Sequence, residues 1–277
     1  MKRRHLETLL LLAPAVIFLL LCFVMPLARL FSLAFTDEAG SFATFGMLAE
    51  SDVYRRVMVN TFVVALIVAL ITVVLAWPVS YVLTKLKGFW FAFALYGVLF
   101  PFWISVLVRT FSWMILLERN GPLNRFLVGL GVTDKPLSLL FNDTGVMIGM
   151  VHVLLPYAIL PLYGAMLRID QRLLMASDGL GAGLIDTFRR IYFPLCFPGL
   201  IGGATFVFLL SLGFFITPAL LGGSNAITLS MLIASFINDR LAWSLAAAGS
   251  MILLVIVLAL LAVTARFLPF GKGIYAR

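Results

Sequence analysis

The chain carries little charge: only 12% of its residues are Asp, Glu, Lys or Arg, while 63% are hydrophobic. A water-soluble domain carries about 25% charged residues, so the composition excludes an ordinary soluble protein and indicates an integral membrane protein. Strands of a membrane barrel alternate apolar and polar residues at period two. The apolar runs here are continuous and about 20 residues long, as membrane-spanning helices require. We therefore predict an all-α membrane protein.

Cysteine and histidine are scarce as well. Cys22 and Cys196 both lie in or beside apolar runs, which favours a packing role over a disulfide or a metal site. His5 and His152 have no Cys, Asp or Glu at the spacing of metal ligands. The sequence also has no Ser-His-Asp arrangement and no paired carboxylates within its apolar runs. We accordingly predict no metal, no cofactor and no catalytic site.

The net charge of +8 is the one feature that could suggest a nucleic-acid partner. Membrane proteins place Lys and Arg on their cytoplasmic flanks, and this explains the charge better. We expect contact with membrane lipid and no binding of nucleic acid.

Six membrane-spanning helices are predicted from the apolar runs. The first follows a basic N-terminus and shows no small-residue cleavage site, so we interpret it as an uncleaved span and not as a signal peptide. The predicted spans cover residues 9–30, 61–83, 89–117, 146–167, 195–221 and 243–267. The segment after the third span has Leu123, Phe126, Leu127 and Leu130 at helical spacing, which predicts a short interfacial helix there.

The distribution of charge favours an orientation with both termini in the cytoplasm. In that orientation most of the acidic residues lie outside, and the larger share of the basic residues lies inside. The basic residues placed inside are Lys2, Arg3, Arg4, Lys85, Lys87, Arg168, Arg172, Arg189, Arg190, Arg266, Lys272 and Arg277.

A polar segment at residues 168–194 separates the fourth and fifth spans on the cytoplasmic side. It is predicted to form two short helices, the first capped by Asp170. Glycines between residues 179 and 183 reverse the chain direction, and a second helix covers residues 184–192. In that helix Leu184, Phe188 and Ile191 form one apolar stripe, and Pro194 ends the helix.

The pattern of this second helix leaves two interpretations open. A short helix with an apolar stripe and flanking charges is typical of an element that lies in the groove of a partner. It is equally typical of an amphipathic helix on the lipid surface, anchored by Arg189 and Arg190.

The polar segment resembles the cytoplasmic "EAA" loop in the permease subunits of bacterial ABC importers. Met175-Ala176-Ser177 stands at the Glu-Ala-Ala position of that family, Leu180-Gly181-Ala182 at Leu-Gly-Ala, and Phe193-Pro194-Leu195 at the closing proline. The chain departs from the pattern where Met175 replaces the Glu and Ser177 replaces the second Ala. A salt bridge of that Glu is therefore not expected here, whereas Gly181 preserves the turn.

Four further segments extend the resemblance over most of the chain. The last two of those listed next are similar to the branch that carries spermidine and putrescine. They are Asn60-Thr61, Trp77-Pro78-Val79-Ser80-Tyr81, Val108-Arg109-Thr110-Phe111-Ser112-Trp113 and Ser211 to Gly223.

The resemblance implies the type I ABC importer permease fold, with residues 1–277 as one transmembrane domain and its conserved core at about 57–268. It also implies a place in the bacterial inner membrane and four kinds of partner. These are an ABC ATPase dimer, a second permease that is usually a different chain, an extracytoplasmic binding protein and lipid. The chain lacks a Gly-x-x-x-x-Gly-Lys-[Ser/Thr] phosphate loop, so ATP hydrolysis is expected on a partner subunit.

The resemblance assigns contact with the ATPase to residues of the polar segment. They are Ala176, Ser177, Asp178, Gly179, Leu180, Gly181, Ala182, Leu184, Phe188, Arg189 and Pro194.

The solute pathway is less sharply marked. Arg109 is either a functional intramembrane charge or an interfacial side chain that snorkels beside Trp113. Thr217 and Pro218 form either a mobile kink or a packing kink, and Asn60 either caps the second span or lines the outer cavity, capping being favoured. The candidate pathway residues are Asn60, Arg109, Trp113, Phe214, Thr217 and Pro218.

An ion-coupled secondary transporter is the alternative function. Such proteins carry acidic or histidine side chains within their spans for coupling, and the predicted spans have no deep carboxylate.

Overall fold

A computed structural model describes residues 2–36, 42–223 and 226–267, and side chains from Leu11 to Arg266 within these ranges. Lys272 and Arg277, which were predicted to lie on the cytoplasmic side, are not among the described residues. All regular structure in the described part of the chain is helical, as predicted. The α-helices are α1 Lys2–Leu19, α2 Met25–Ser32, α3 Ala43–Glu50, α4 Asp52–Lys85, α5 Gly88–Leu99, α6 Val106–Leu117, α7 Pro122–Gly129, α8 Asp143–Leu167, α9 Gln171–Gly179, α10 Leu184–Thr187, α11 Phe193–Leu212, α12 Ile216–Leu221, α13 Leu229–Asn238 and α14 Trp243–Phe267.

Five helices are long and apolar enough to cross a membrane, and a bent pair of helices raises the count to six if it is one span. The apolar composition of these helices confirms the membrane class predicted from the sequence. The five helices are Leu11–Phe35, Asp52–Lys85, Asp143–Leu167, Leu184–Leu212 and Trp243–Arg266.

The predicted third span, residues 89–117, is not one straight helix. Helix α5 tightens into a 3₁₀ turn at Phe100–Trp103, and α6 starts after a break, with 99° between Gly88–Trp103 and Val106–Gly129. Two residues explain the break. Pro101 lacks the amide needed to continue an α-helix, and the Ser105 hydroxyl accepts a hydrogen bond from the amide of Leu107 and caps α6. Helix α7 confirms the short helix predicted after this segment.

The fifth span also differs from the prediction at both ends. Its helix begins at Leu184 and ends at Leu212, and the residues after the break at Gly213 form the separate short helix α12. Pro194 does not end a helix, which corrects the prediction. A π-helical turn at Phe188–Tyr192 precedes it, and Pro194 lies in the first turn of α11, where a missing amide is tolerated.

The chain divides into two compact units. The first unit comprises Met1–Arg55 and Leu232–Ala259. Its small side chains Ala246, Ala247 and Ala248 are buried in α14. Gly249 lies against Ile233 and Tyr54, so a small residue at this position allows the helices to pack closely.

The second unit comprises Arg56–Met231 and Leu260–Arg277, and α8 is the central helix of its core. Helix α11 packs along α8 because two of its glycines face that helix. A Cβ atom on Gly199 would meet the side chain of Ala165, and one on Gly203 would lie 3.3 Å from the Ala158 carbonyl oxygen. This close packing sets the position of the polar segment between the two helices.

Candidate functional site

The polar segment begins with the short helix α9 and a tight turn, as predicted. Its second helix is not separate, because α10 continues through the π-helical turn into α11. Asp170 caps α9 through its carboxylate, which accepts a hydrogen bond from the amide of Arg172 over 2.9 Å. The turn after α9 returns the amide of Ala182 to the carbonyl of Ser177 at 3.1 Å and the amide of Gly181 to Asp178 at 2.9 Å. These bonds satisfy the last carbonyls of the helix.

Gly181 takes the left-handed backbone conformation, with φ +77°. Only glycine adopts this conformation without strain. No atom lies within 4 Å of the place where a Cβ would stand. The residue type at this position is therefore required by the backbone and not by crowding inside the chain.

Ser177, which replaces the alanine of the family pattern, joins the two helices of the segment. Its side chain is buried, and its hydroxyl lies 2.8 Å from the hydroxyl of Thr187. This hydrogen bond links the last turns of α9 to the end of α10. The bond was not predicted, because it depends on the exact path of the turn.

The exposed apolar surface of the segment differs from the predicted stripe. Leu180, Leu184 and Ile185 are 88%, 90% and 81% exposed. Phe188 instead turns toward α4, and Ile191 is partly buried. The π-helical turn that starts at Phe188 breaks the spacing of an α-helix, so Leu184, Phe188 and Ile191 do not form one stripe. We call Leu180, Leu184 and Ile185 the exposed ridge.

Charged side chains flank the exposed ridge. Asp186 and Arg190 form an ion pair, with 3.1 Å between Oδ1 and Nε, and both side chains are largely exposed. Arg189 and Asp178 are exposed as well. A surface that combines apolar and charged side chains in this way suits a protein partner.

Four aromatic side chains join the segment to the end of α4. Trp77 and Tyr81 of α4 meet Phe188 and Tyr192, and we call these four residues the aromatic clasp. A cavity of about 860 Å³ opens beside the clasp, between α4 and the two helices of the segment. Trp77, Tyr81 and Tyr192 were not among the site residues predicted from the sequence. A spacing of four residues, which places two side chains on one helix face, joins Trp77 to Tyr81 and also Phe188 to Tyr192.

A second cavity, of about 440 Å³, contains two of the candidate pathway residues. Arg109 of α6 and Phe214 line it together with Phe102 and Tyr157. The Nε atom of Arg109 is buried and has no hydrogen-bond partner among the residues described. The cavity lining includes this arginine and no Asp or Glu.

Trp113 and Thr217 make contacts between helices. Trp113 packs edge to face on His152 of α8, with 5.6 Å between ring centroids. Thr217 is fully buried and shares a 3.1 Å hydrogen bond with Thr110, which ties α12 to α6. Pro218 is buried in the first turn of α12. Of the six candidates, Arg109 and Phe214 are thus the two that line the smaller cavity.

Asn60 and Thr61 do not cap a helix, because α4 begins at Asp52 and they lie in its interior. This corrects the capping prediction. The Asn60 amide lies 3.4 Å from the carboxylate of Asp143 at the start of α8. Thr61 accepts a 2.8 Å hydrogen bond from the amide of Leu229, at the start of α13.

Comparison with known proteins identifies relatives over most of the chain. The chain is 36% identical over 204 residues to the spermidine/putrescine transport system permease protein PotB of Escherichia coli (strain K12), covering 73% of this chain and 74% of that protein. It is 32% identical over 230 residues to PotB of Haemophilus influenzae, covering 80% of both. No protein-family model matches the chain.

A solved structure shares the fold. The crystal structure of a bacterial alginate ABC transporter in complex with an alginate pentasaccharide-bound periplasmic protein contains a chain with a TM-score of 0.74 and 18% identity, covering 96% of this chain and 94% of that chain. Identity this low supports the fold alone.

Proposed function

Because the chain belongs to the ABC-importer permease family that includes PotB, we propose that it forms half of a membrane pathway for a polyamine or a related small cationic solute. It is a transport subunit, and ATP hydrolysis takes place on a separate ATPase subunit. The similarity to PotB over 204 residues carries this conclusion. We propose that residues 1–277 act as one transmembrane permease domain, with a conserved core at about 57–268.

The partners follow from the family. A second permease completes the pathway, an ATPase dimer drives it, and an extracytoplasmic binding protein delivers the solute. The structure with a bound periplasmic protein shares the fold of this chain, which supports the last of these assignments.

The polar segment at 168–194 is the surface that we assign to the ATPase. The exposed ridge supports this assignment, since Leu180, Leu184 and Ile185 expose most of their apolar surface. The docking residues proposed from the sequence are kept: Ala176, Ser177, Asp178, Gly179, Leu180, Gly181, Ala182, Leu184, Phe188, Arg189 and Pro194. Ile185 joins them because of its exposure.

The smaller cavity is the best candidate for part of the solute pathway. Aromatic rings and Arg109 line it, and rings can hold a cationic solute through cation–π attraction. Arg109 repels a polyamine, so we infer that the compensating carboxylates come from the second permease. The contacts of Asn60, Trp113, Thr217 and Pro218 support positions around this pathway and not within the cavity.

The relatives and the apolar helices place the chain in the bacterial inner membrane. We propose that the N-terminus, the C-terminus and the polar segment all face the cytoplasm. The basic flanks of the spans support this orientation.

Reconstitution tests the proposed function. The chain is co-expressed with the ATPase, second permease and binding protein of its transport system, and the purified complex is assayed for uptake of labelled spermidine into proteoliposomes. We expect uptake that requires ATP and the binding protein and is insensitive to an uncoupler. Uptake by the chain alone, driven by an ion gradient without ATP, would support the secondary-transporter alternative and contradict the proposal.

A further inference from the structure

We propose that the aromatic clasp is the contact through which movement of the polar segment reaches the membrane helices. The inference rests on the proposed function, because it concerns how an ATPase bound to this segment would act on the pathway. It assigns positioning roles to Trp77, Tyr81 and Tyr192.

The four rings of the clasp form a closed set of contacts. Trp77 and Tyr81 stack with 5.8 Å between centroids and 3° between planes. Phe188 lies 5.2 Å from Trp77 and Tyr192 lies 5.6 Å from Tyr81, measured between ring centroids, and both pairs of rings are near a right angle. Edge-to-face pairs depend on orientation, so a displacement of the segment is transmitted as a directed force on α4.

Ring contacts and packing against the apolar core hold Trp77 in place. Its indole Nε1 is buried and has no hydrogen-bond partner within the described ranges. Tyr192 is buried, whereas Tyr81 is exposed on one side and lies beneath the Lys85 ammonium group at 5.4 Å. The indole is therefore the centre of the clasp, in contact with both rings of the segment.

The clasp lies at a point where α4 is able to bend. Pro78 follows Trp77 inside the helix, and it removes the backbone hydrogen bond that would join it to Val74. The part of α4 beyond Pro78 carries Tyr81 and ends at Lys85. The bend lies in the turn from Val74 to Pro78, which includes Trp77, so the end of the helix can follow the segment while the part of α4 before Val74 stays in place.

A buried hydrogen bond carries the displacement on to α8. The Ser80 hydroxyl donates to the carbonyl of Ile159 over 3.2 Å, and the serine is fully buried. Helix α8 contains Pro156 and Pro161 and contributes Tyr157 to the smaller cavity. A continuous set of contacts therefore joins the segment to the cavity that holds Arg109. The open volume beside the clasp leaves space for the movement.

The test separates a transmitting role from simple packing. Trp77→Leu and Trp77→Phe are made in the full complex, with Phe91→Leu as the matched control. Phe91 packs on Tyr163 of α8 at 6.1 Å, away from the clasp. The measured quantity is the number of spermidine molecules imported per ATP hydrolysed.

We expect Trp77→Leu to lower this ratio about tenfold, because each lost ring pair weakens the coupling by a factor of a few. The complex remains assembled and ATPase activity persists. Trp77→Phe restores most of the ratio, and Phe91→Leu leaves it unchanged. If Trp77→Leu does not accumulate, Tyr81→Leu decides the question, because the exposed side of that ring tolerates truncation.

An unchanged ratio in an assembled Trp77→Leu complex overturns the transmitting role of the aromatic clasp. A fall in Phe91→Leu as large as the fall in Trp77→Leu also overturns it. Both results leave the proposed function intact. A wild-type chain that does not assemble with an ATPase overturns the proposed function itself.

Discussion

At the scale of single residues, the segment's local geometry follows from a few side chains. The capping by Asp170 and the need for glycine at position 181 could be predicted, since each depends only on neighbouring residues. The bond between Ser177 and Thr187 could not, because the hydroxyls belong to different helices. The same limit applies to the hydrogen bond between Thr61 and the amide of Leu229 at the start of α13, because the two residues are far apart in the sequence.

Gly181→Glu is expected to abolish ATP-dependent uptake and to leave the amount of protein in the membrane unchanged. The space around Gly181 is open within this chain, so the loss of uptake in Gly181→Glu beyond that in Gly181→Ala reports a clash with a partner. Gly181→Ala is expected to give a partial loss, because a left-handed alanine is strained by about 1–2 kcal/mol. Uptake of labelled spermidine in vesicles measures both variants.

Gly164→Ala is the control for the previous pair, because Gly164 lies in α8 with open space around it and no strained backbone. It should import at the wild-type rate. Normal uptake by Gly181→Glu would contradict the assignment of the turn to a partner.

Thr61→Val and Thr72→Val form a second matched pair, since both threonines are buried in α4, 2% and 0% exposed. Thr61 accepts the amide of Leu229, whereas the Thr72 hydroxyl has no partner in the described part of the chain. We expect Thr61→Val to destabilise the protein by about 1–3 kcal/mol and Thr72→Val to be neutral or stabilising. Thermal unfolding in detergent measures the difference, and equal effects would contradict this account of the bond.

At the scale of elements, the apolar runs predicted the helices better than their ends. Four of the six predicted spans correspond to continuous helices, because burial in lipid dictates long apolar segments. The third and fifth spans broke at Ser105 and Gly213, where caps and short helices form. The π-helical turn at Phe188–Tyr192 was missed, since nothing in a periodicity analysis distinguishes it from an α-helical turn.

Packing of α11 on α8 yields a prediction at this scale. Gly199→Val should destabilise the protein by about 1–3 kcal/mol through overpacking against Ala165. Gly202→Val changes the same residue type in the same helix, but a Cβ atom on Gly202 would meet nothing within 4 Å, so it should have little effect. Thermal unfolding of the two variants checks the prediction, and a larger effect at Gly202 would contradict the packing described.

At the scale of the whole molecule, the family and the membrane class could be predicted because they depend on motifs and composition. The path of the solute could not, since four of the six candidate residues do not line the smaller cavity and a second permease is needed to complete the pathway. Orientation is also a property of this scale, because it results from charge summed over all the flanks.

Cysteine labelling tests the orientation. Leu184→Cys and Leu130→Cys are made in a chain whose Cys22 and Cys196 are replaced by Ser and Ala, and both leucines are largely exposed. An impermeant maleimide should label position 130 in intact cells and position 184 only after the membrane is opened. Labelling of position 184 in intact cells would reverse the proposed orientation.

The π-helical turn at Phe188–Tyr192 has a consequence for how this protein could evolve. Such a turn accommodates one additional residue within an otherwise continuous helix. Loss or gain of a single codon at this point rotates everything before it by about 100° and leaves the membrane-embedded α11 unaltered. A change of that kind redirects the exposed ridge in one mutational step. At this junction, evolution could therefore adapt the protein to a different ATPase subunit.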